Sequence, residues 1–269
     1  MMSNYAADLF DGHFAGKSVV VMGGAQGIGK TIAAAFAAAG ASVVVTDQKP
    51  SITETAAELR AAGLDVTGMT CDVTNDEEVK GVFAKVKELW GKLDVLVNNA
   101  GIIEINELEN TATASFTRVM QVNTVAQFIA AREALPLFEA AGGGTIVNAA
   151  SGQAREGFIY TPSYAASKMG VVGLTQSLAK ELAAKNITVN AYCPGIVATE
   201  MWAYNDAEWG KRLGDYKPGE LMQEWIDDIP IGRAATEADV ANAILFLASE
   251  AGNYITGQAL NVDGGMFMN

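Results

Sequence analysis

The stretch "MGGAQGIGKTIAAAFAAAGA" at residues 22–41 decides the fold. It follows the β-branched run "SVVVM" at 18–22, and its glycines Gly23, Gly27 and Gly29 stand where a predicted strand turns into an alanine-rich helix. Glycine permits a tight turn there, and the free N–H groups that begin the helix can hold a pyrophosphate. A second predicted strand leads to Asp47, about where a carboxylate would accept hydrogen bonds from the ribose hydroxyls of an adenosine. The pattern predicts dinucleotide binding rather than a simple turn.

The rest of the chain alternates short β-branched runs with longer alanine-rich segments, which predicts a parallel sheet covered by helices on both faces. The predicted strands are 18–22, 42–46, 66–70, 93–97, 144–149, 187–192 and 258–262. Further helices are predicted near 51–62, 75–90, 113–135, 163–185 and 236–249, with Thr53, Asn75 and Ser163 as caps or first-turn residues. We therefore expect a single α/β domain over 1–269, a Rossmann-like, doubly wound parallel sheet of about seven strands.

Two segments fall outside this alternation. Residues 1–16 form an N-terminal extension before the first strand. Residues 195–232 hold three of the four tryptophans, and we expect them to form a substrate-binding lid within the domain.

Composition narrows the possible partners. The formal net charge of -13 argues against nucleic acid or an anionic membrane as partner, because both require a basic surface. The first 17 residues lack a basic leader and an apolar core, and the longest uncharged run, 31–46, is shorter than a membrane span, so we expect a cytoplasmic protein. Cys71 and Cys193 form no CxxC motif and have only His13 as a nitrogen partner, which predicts no metal site and leaves His13 as a surface residue.

Asp47 also bears on the choice of cofactor. Its charge would repel a 2′-phosphate, whereas it would accept hydrogen bonds from a free 2′-hydroxyl. Lys30 and Lys49 argue the other way, since a lysine near the ribose could shelter a phosphate. The balance favours NAD over NADP. Asp72 could accept a hydrogen bond from the amino group of the adenine, although aspartates at strand ends also begin turns.

A tyrosine and a lysine in "TPSYAASK" at 161–168 suggest chemistry. Tyr164 and Lys168 are four residues apart, so on a helix they share one face, although the same spacing also occurs in exposed amphipathic helices. A phenol with a pKa near 10 must become more acidic by a few units to take a proton from an alcohol near neutral pH. An ammonium about 4 Å away contributes on the order of 4 kcal/mol at an effective dielectric constant of about 20, or roughly three pKa units. The pair is therefore sufficient for proton transfer.

These motifs occur in order with "NNAG" at 98–101, Asn123, Ser151, "PG" at 194–195 and "VDGG" at 262–265. Together they resemble the short-chain dehydrogenase/reductase family from Lys17 onward. The resemblance implies a Rossmann-like domain, usually a homotetramer, with a catalytic tetrad of Asn123, Ser151, Tyr164 and Lys168. Ser151 would bind the substrate oxygen, and Asn123 would hold a water that relays the proton. Met22 and Ala126 depart from the Thr and Gly that are usual in the family.

The glycine loop, Asp47 and Asp72, inferred above from their positions, and the contacts that the resemblance adds make up the expected cofactor site. These contacts come from the glycine loop, from the ends of three predicted strands, from the Tyr–Lys pair and from the segment that begins at "CPG". They are Gly23, Gln26, Gly27, Ile28, Gly29, Asp47, Asp72, Val73, Asn98, Ala100, Gly101, Tyr164, Lys168, Pro194, Gly195, Ile196 and Thr199.

The substrate is inferred from the loop after Ser151 and from the lid. Gln153, Arg155 and Glu156 would border the substrate, as would Trp202 of the lid, and this polar and aromatic lining favours a short hydroxylated molecule. Some segments also look like those of sugar-alcohol and acetoin/butanediol dehydrogenases. We expect NAD-dependent oxidation of a polyol to a ketose, with acetoin/diacetyl reduction or 3-oxoacyl-acyl-carrier-protein reduction as alternatives. A non-catalytic NAD sensor is a remote alternative, because such proteins typically lose the Tyr or the Lys.

Overall fold

A seven-stranded parallel sheet is the centre of this computed structural model, which describes residues 7–268. The strands are β1 (Ser18–Met22), β2 (Ser42–Asp47), β3 (Val66–Thr70), β4 (Val95–Asn98), β5 (Gly144–Ala149), β6 (Ile187–Pro194) and β7 (Ala259–Val262). Their spatial order is β3-β2-β1-β4-β5-β6-β7, and every neighbouring pair is parallel. The predicted doubly wound fold is confirmed. The first six residues of the predicted N-terminal extension lie outside the described residues.

Helices cover both faces of the sheet. They are α1 (Ala7–Phe10), α2 (Gly27–Ala38), α3 (Ile52–Ala61), α4 (Asp76–Trp90), α5 (Thr113–Met120), α6 (Ala126–Ala141), α7 (Pro162–Leu182), α8 (Glu200–Leu213), α9 (Glu220–Asp227) and α10 (Glu237–Ala248). Of the predicted caps, Asn75 does cap α4, since its side chain accepts hydrogen bonds from the N–H groups of Glu77 and Glu78. Thr53 and Ser163 lie in the first turns of α3 and α7.

Alternate residues of β1 enter two different cores. Val19 and Val21 pack in one buried cluster with residues of α2 and α10, such as Phe36. Val20 and Met22 pack in another with residues of α4 and α6. A strand that is buried on both faces needs an uninterrupted apolar sequence, which explains the run of valines. Met22 and Ala126, the two departures from the family pattern, both lie in this second cluster.

The helix predicted over 113–135 differs in two ways from the one observed. A π-helical turn, Gln121–Val125, separates α5 from α6, and such turns often mark functional sites. The helix also continues past Pro136 to Ala141 instead of ending before the proline. Proline removes one helical hydrogen bond, but the next two residues, Leu137 and Phe138, are buried, and their packing offsets that loss.

The segment 195–232, the predicted lid, contains α8 and α9. The carboxylate of Asp206 on α8 accepts hydrogen bonds from the N–H groups of Gly219 (2.5 Å) and Met222 (2.9 Å), so it holds the start of α9. Polar contacts join α8 to the body of the domain at both ends: Glu200 accepts from the Gln26 Nε2 at 2.7 Å, the Trp209 indole donates to the Ile159 carbonyl oxygen at 3.0 Å, and Arg212 pairs with Glu107 at 3.2 Å.

Within residues 7–268 no helix has the length and apolar character needed to cross a membrane. Over the same range, no three His, Cys, Asp or Glu side chains are grouped so that they could hold a metal ion.

Candidate active site

A cleft of about 870 Å³ opens at the carboxyl ends of the central strands. The strand order reverses between β1 and β4, and this is where open α/β sheets bind their ligands. The cleft is lined by fourteen of the seventeen predicted cofactor residues: Gly23, Gln26, Gly27, Ile28, Gly29, Asp47, Asp72, Val73, Ala100, Gly101, Tyr164, Lys168, Pro194 and Thr199.

The glycine loop leaves no room for side chains where it packs against the end of β4, at Gly23 and Gly29. Gly23 has a φ of 88°, and a Cβ there would lie 2.6 Å from the Ala100 Cα. A Cβ on Gly29 would overlap the Gly23 carbonyl oxygen and lie 2.6 Å from the Asn99 Nδ2. The loop therefore packs tightly against the end of β4 while its outer side faces the cleft. With the start of α2 beside it, this cradle fits the pyrophosphate of a dinucleotide.

Asp47 lies at the end of β2 and is fixed by two backbone N–H groups. Its Oδ2 accepts from Ala25 and its Oδ1 accepts from Lys49, both at 3.0 Å. Each carboxylate oxygen has a second acceptor position, which can receive a ribose hydroxyl. The Lys49 ammonium donates to the Gln26 Oε1 at 2.8 Å, and Lys30 pairs with Glu58 at 2.6 Å. Both lysines that could shelter a phosphate thus have other partners.

Asp72 begins a turn and also lines the cleft. Its Oδ1 accepts from the N–H and the hydroxyl of Thr74, and Arg118 lies 3.7 Å from its Oδ2. Burial acts to raise the pKa of Asp72, but the hydrogen bonds from Thr74 and the charge of Arg118 together lower it. The carboxylate is therefore held ionised, which suits an acceptor.

The two asparagines of "NNAG" have different environments. The Asn98 side chain is buried in the sheet, where its Nδ2 donates to the Asn148 Oδ1 at 2.9 Å. It is the neighbouring Asn99 that lines the cleft. The Asn99 Nδ2 donates to the Gly23 carbonyl oxygen at 2.5 Å, and its Oδ1 accepts from the Tyr192 hydroxyl at 2.8 Å. Sequence reasoning named Asn98 and missed Asn99 and Tyr192.

Asn123 lies on the π-helical turn and joins three parts of the site. Its Oδ1 accepts from the Ile102 N–H, and its Nδ2 donates to the Ile102 carbonyl oxygen and to the Ser167 Oγ, each at 2.9 Å. A Cβ placed on Gly101 would be 3.5 Å from the Asn123 Oδ1 and 3.4 Å from the Lys168 Nζ. The glycine therefore lies between these two polar groups, and Asn123 and Lys168 border the same small space.

Lys168 and Tyr164 share one face of α7, as their spacing predicts. The Lys168 Nζ lies 5.5 Å from the centre of the Tyr164 ring and donates to the Ala149 carbonyl oxygen at 2.8 Å. The lysine is only 3% exposed, and burial lowers its pKa to about 8. Its charge is therefore sensitive to its surroundings near neutral pH.

The pKa of Tyr164 differs from the sequence-based expectation, which was that Lys168 would lower it. Burial raises it above 10.0, since removal from water disfavours the phenolate, while the Ser151 side chain acts in the opposite direction. The ammonium lies 5.5 Å from the ring centre and donates to the Ala149 carbonyl oxygen, so its charge does not outweigh this burial. The positive charge of a bound oxidised nicotinamide would act in the lowering direction.

Ser151 caps a short 3₁₀ turn, Gly152–Ala154, with its Oγ accepting from the Gln153 N–H at 3.2 Å. It is buried, directly after Ala150, which lines the cleft.

The remaining predicted residues lie away from the cleft wall. The Gln153 Oε1 accepts from the Thr161 hydroxyl at 2.8 Å. Trp202 packs in an aromatic cluster with Trp209 and Trp225, at ring distances of 6.3 and 6.1 Å. Ile196 is buried, and Gly195 packs against Asp263.

The fold and the site together define the class of protein. A cleft shaped for a dinucleotide ends at a tyrosine and a buried lysine, a pair that can exchange a proton with an alcohol. This is an oxidoreductase that uses a nicotinamide cofactor and acts on alcohol or ketone groups.

Comparison with known proteins gives the family. The model described as Enoyl-(Acyl carrier protein) reductase matches residues 23–267, and the chain belongs to the short-chain dehydrogenase/reductase family. It is 42% identical to an L-2,3-butanediol dehydrogenase of Corynebacterium glutamicum over 258 residues, 94% of this chain and 99% of that protein. It is 37% identical to a 3-oxoacyl-acyl-carrier-protein reductase of Staphylococcus aureus over 94% of this chain and 98% of that protein.

A solved structure agrees with the fold. A Phe-to-Trp variant of the actinorhodin polyketide ketoreductase with NADPH has a TM-score of 0.89 and 35% identity, covering 93% of this chain and 97% of that one.

Proposed function

We propose that this enzyme interconverts a short vicinal diol and its hydroxyketone, of the butanediol and acetoin type, with NAD as cofactor. Such a substrate has one hydroxyl to react, one neighbouring oxygen, and small apolar ends. This was an alternative to a sugar alcohol in the sequence-based interpretation.

The lining of the cleft carries the proposal. The polyol expectation depended on Gln153, Arg155 and Glu156 as free polar groups, but the Gln153 amide accepts from Thr161 and the Arg155 guanidinium donates to Asn261 at 2.9 Å. The lid contributes Met201, Ala203 and Met222 to the cleft, beside Thr199 and Glu200, and the Glu200 carboxylate is already held by a hydrogen bond from Gln26 at 2.7 Å. Wall groups of this kind suit methyl groups better than a chain of hydroxyls. The butanediol dehydrogenase relative supports the same choice.

The tetrad residues would divide the work as follows. The Tyr164 phenolate would accept the hydroxyl proton of the diol, and Ser151 would donate a hydrogen bond to the same oxygen as its charge develops. Lys168 would add its positive charge beside the Tyr164 ring and, together with the charge of an oxidised cofactor, favour the phenolate against burial. Asn123, which is fixed to Ile102, would keep the nearby path for the proton in place. Gly27, Asp47 and Thr199 line the cleft that would hold the nicotinamide cofactor, which would supply a hydride acceptor for the conversion of the diol to a hydroxyketone.

Asp47 supports NAD as the cofactor, although the related ketoreductase structure contains NADPH. The carboxylate is fixed at the ribose end of the cleft, and the nearest lysines are paired with Gln26 and Glu58. A 2′-phosphate would therefore meet the negative charge of Asp47. Lys30 is neutralised by Glu58, and Lys49, which lines the cleft, would have to leave Gln26 to offset that charge.

A substrate panel tests the proposal. The rates with acetoin, diacetyl and 2,3-butanediol are compared with those for sorbitol, galactitol and a 3-oxoacyl thioester, each with the NAD and NADP couples. We expect the highest kcat/KM for the four-carbon compounds with NAD or NADH. A higher value for a sugar alcohol would restore the polyol interpretation, and a higher value for the thioester would favour acyl reduction.

The homotetramer and the cytoplasmic location, both expected from sequence, remain part of the proposal. Light scattering on the purified chain would test the first, and fractionation of cells that express it would test the second.

A further inference from the structure

We propose that Phe267, near the C-terminus, is a positioning residue for Ser151. It would fix the turn that carries Ser151 and so keep the hydroxyl aimed at the substrate oxygen. The inference rests on the proposed role of Ser151, and it adds a residue far away in sequence that none of the recognised motifs includes.

Gly152 is the point of contact. It directly follows Ser151 and is buried, and the ring of Phe267 lies against it. A Cβ on Gly152 would overlap the Phe267 ring, lying 2.8 Å from its Cδ2 and closer still to its Cε2. A methyl group at position 152 therefore fits only if the turn or the ring moves. Glycine at this position has no positive φ to explain it, so the close approach of the ring is what requires it.

The backbone of Phe267 is held on both sides, so the ring is not a loose end. Its N–H donates to the Asp263 Oδ2 at 3.0 Å, and its carbonyl oxygen accepts from the Asn261 Nδ2 at 2.8 Å. Asp263 is buried and also accepts from the Gly265 N–H at 3.0 Å. These hydrogen bonds fix residues 265–267 to the end of β7.

The turn after Ser151 is tied to the same strand. Arg155 donates from its Nε to the Asn261 Oδ1 at 2.9 Å and from its Nη2 to the Ala259 carbonyl oxygen. Asn261 thus contacts both Arg155 and Phe267. The turn is therefore held at Gly152 by the ring of Phe267 and three residues later by the guanidinium of Arg155, and both of these residues are hydrogen-bonded to β7.

The consequence concerns substrate chemistry more than cofactor binding. The Ser151 Oγ already accepts from the Gln153 N–H, so its direction follows the conformation of the turn. Phe267 and Gly152, like Ser151 itself, are absent from the residues that line the cleft, so a loosened turn acts through the Ser151 hydroxyl and leaves the glycine loop and Asp47 in place. Loosening the turn should therefore lower the rate of the alcohol or ketone step while leaving NADH affinity nearly unchanged.

The test uses kcat and KM for acetoin reduction, NADH affinity by fluorescence titration, and Tm. We expect Phe267→Ala to lower kcat/KM by about tenfold, mainly through kcat, with the NADH Kd within about twofold of wild type. Phe267→Leu, which keeps apolar bulk, should recover most of the rate and gives the same test if the alanine variant folds poorly. Met268→Ala, which removes the neighbouring exposed side chain, is the matched control and should behave as wild type.

Two double variants test the coupling. Gly152→Ala should cost about as much as Phe267→Ala, and combining the two should cost little more than either one, because both disturb the same contact. In a Ser151→Ala background, Phe267→Ala should lower the residual rate no further. The inference would be overturned if either double variant lost kcat/KM by the product of its two single losses, or if Phe267→Ala reacted at the wild-type rate. If Ser151→Ala itself leaves turnover unchanged, the role proposed for Ser151 fails first, and the substrate panel tests the proposed function separately, so the failures are distinguishable.

Discussion

Replacing Asn99 by alanine should weaken both the fold and cofactor binding. The Asn99 side chain bridges the Gly23 carbonyl oxygen, at 2.5 Å, and the hydroxyl of Tyr192, at 2.8 Å. Tyr192 is 1% exposed, so its hydroxyl cannot turn to solvent when this partner is lost. Asn99→Ala therefore leaves a buried donor and a loop carbonyl unpaired.

The magnitude follows from those two bonds. An unpaired buried polar group costs about 1–3 kcal/mol, but the Gly23 carbonyl borders the cleft and can recover part of its bond from water. We expect Asn99→Ala to lower the free energy of unfolding by about 2 kcal/mol and Tyr192→Phe to lower it by about 1 kcal/mol. The loss of stability in the double variant should be about 1 kcal/mol smaller than the sum of the two single losses, because both changes remove the same hydrogen bond between Asn99 and Tyr192. Displacement of the glycine loop should raise the NADH Kd by about tenfold.

Urea unfolding and fluorescence titration with NADH measure the two effects. The neighbouring Asn98→Ala is the matched control, because the Asn98 side chain bonds Asn148 inside the sheet and is absent from the residues that line the cleft. It should destabilise the fold with little change in NADH affinity. The reasoning is refuted if Asn98→Ala weakens NADH binding as much as Asn99→Ala does, or if Asn99→Ala leaves the Kd unchanged.

Three further predictions concern the cofactor, the buried lysine and the lid. Asp47→Ala should lower the ratio of kcat/KM with NAD to kcat/KM with NADP. A wild-type enzyme that already prefers NADP would contradict the role of Asp47. Burial holds the pKa of Lys168 at about 8, against an ordinary 10.5, so between these pH values the unfolded chain binds more protons and the free energy of unfolding rises with pH. Lys168→Met should lose this rise, as measured by urea unfolding at several pH values. A variant whose free energy of unfolding rises with pH as steeply as that of wild type would contradict the prediction. Arg212→Met, which breaks the pair with Glu107, should raise KM more than Lys211→Met, whose partner lies on its own helix; equal KM values would show that the pair does not hold the lid.

The strands and the cleft could be predicted from sequence because each has a local signal. The valine runs of β1 and β2 and the glycine spacing after β1 depend on neighbouring residues alone, and they gave the fold and most of the cleft wall. The choice between Asn98 and Asn99 needed the side-chain direction at the end of β4. Adjacent residues point to opposite sides there, and one residue of register decides which of them faces the glycine loop.

Other features depended on contacts distant in sequence. Arg155 looks like a substrate group beside Ser151, yet it binds β7, which is more than a hundred residues away. The burial that raises the pKa of Tyr164 likewise arises from packing that no local pattern encodes. Helix α6 continues past Pro136 because the buried Leu137 and Phe138 stabilise the next turn.

The central claim is that Tyr164 transfers the proton, and Tyr164→Phe tests it most directly. The phenyl ring should keep the packing against Lys168, 5.5 Å away in the native protein, so the fold and the NADH Kd should be retained. Because the proton-transferring oxygen is gone, acetoin reduction at saturating NADH should fall by about a thousandfold in kcat. A folded, NADH-binding Tyr164→Phe variant with kcat near that of wild type would contradict the account.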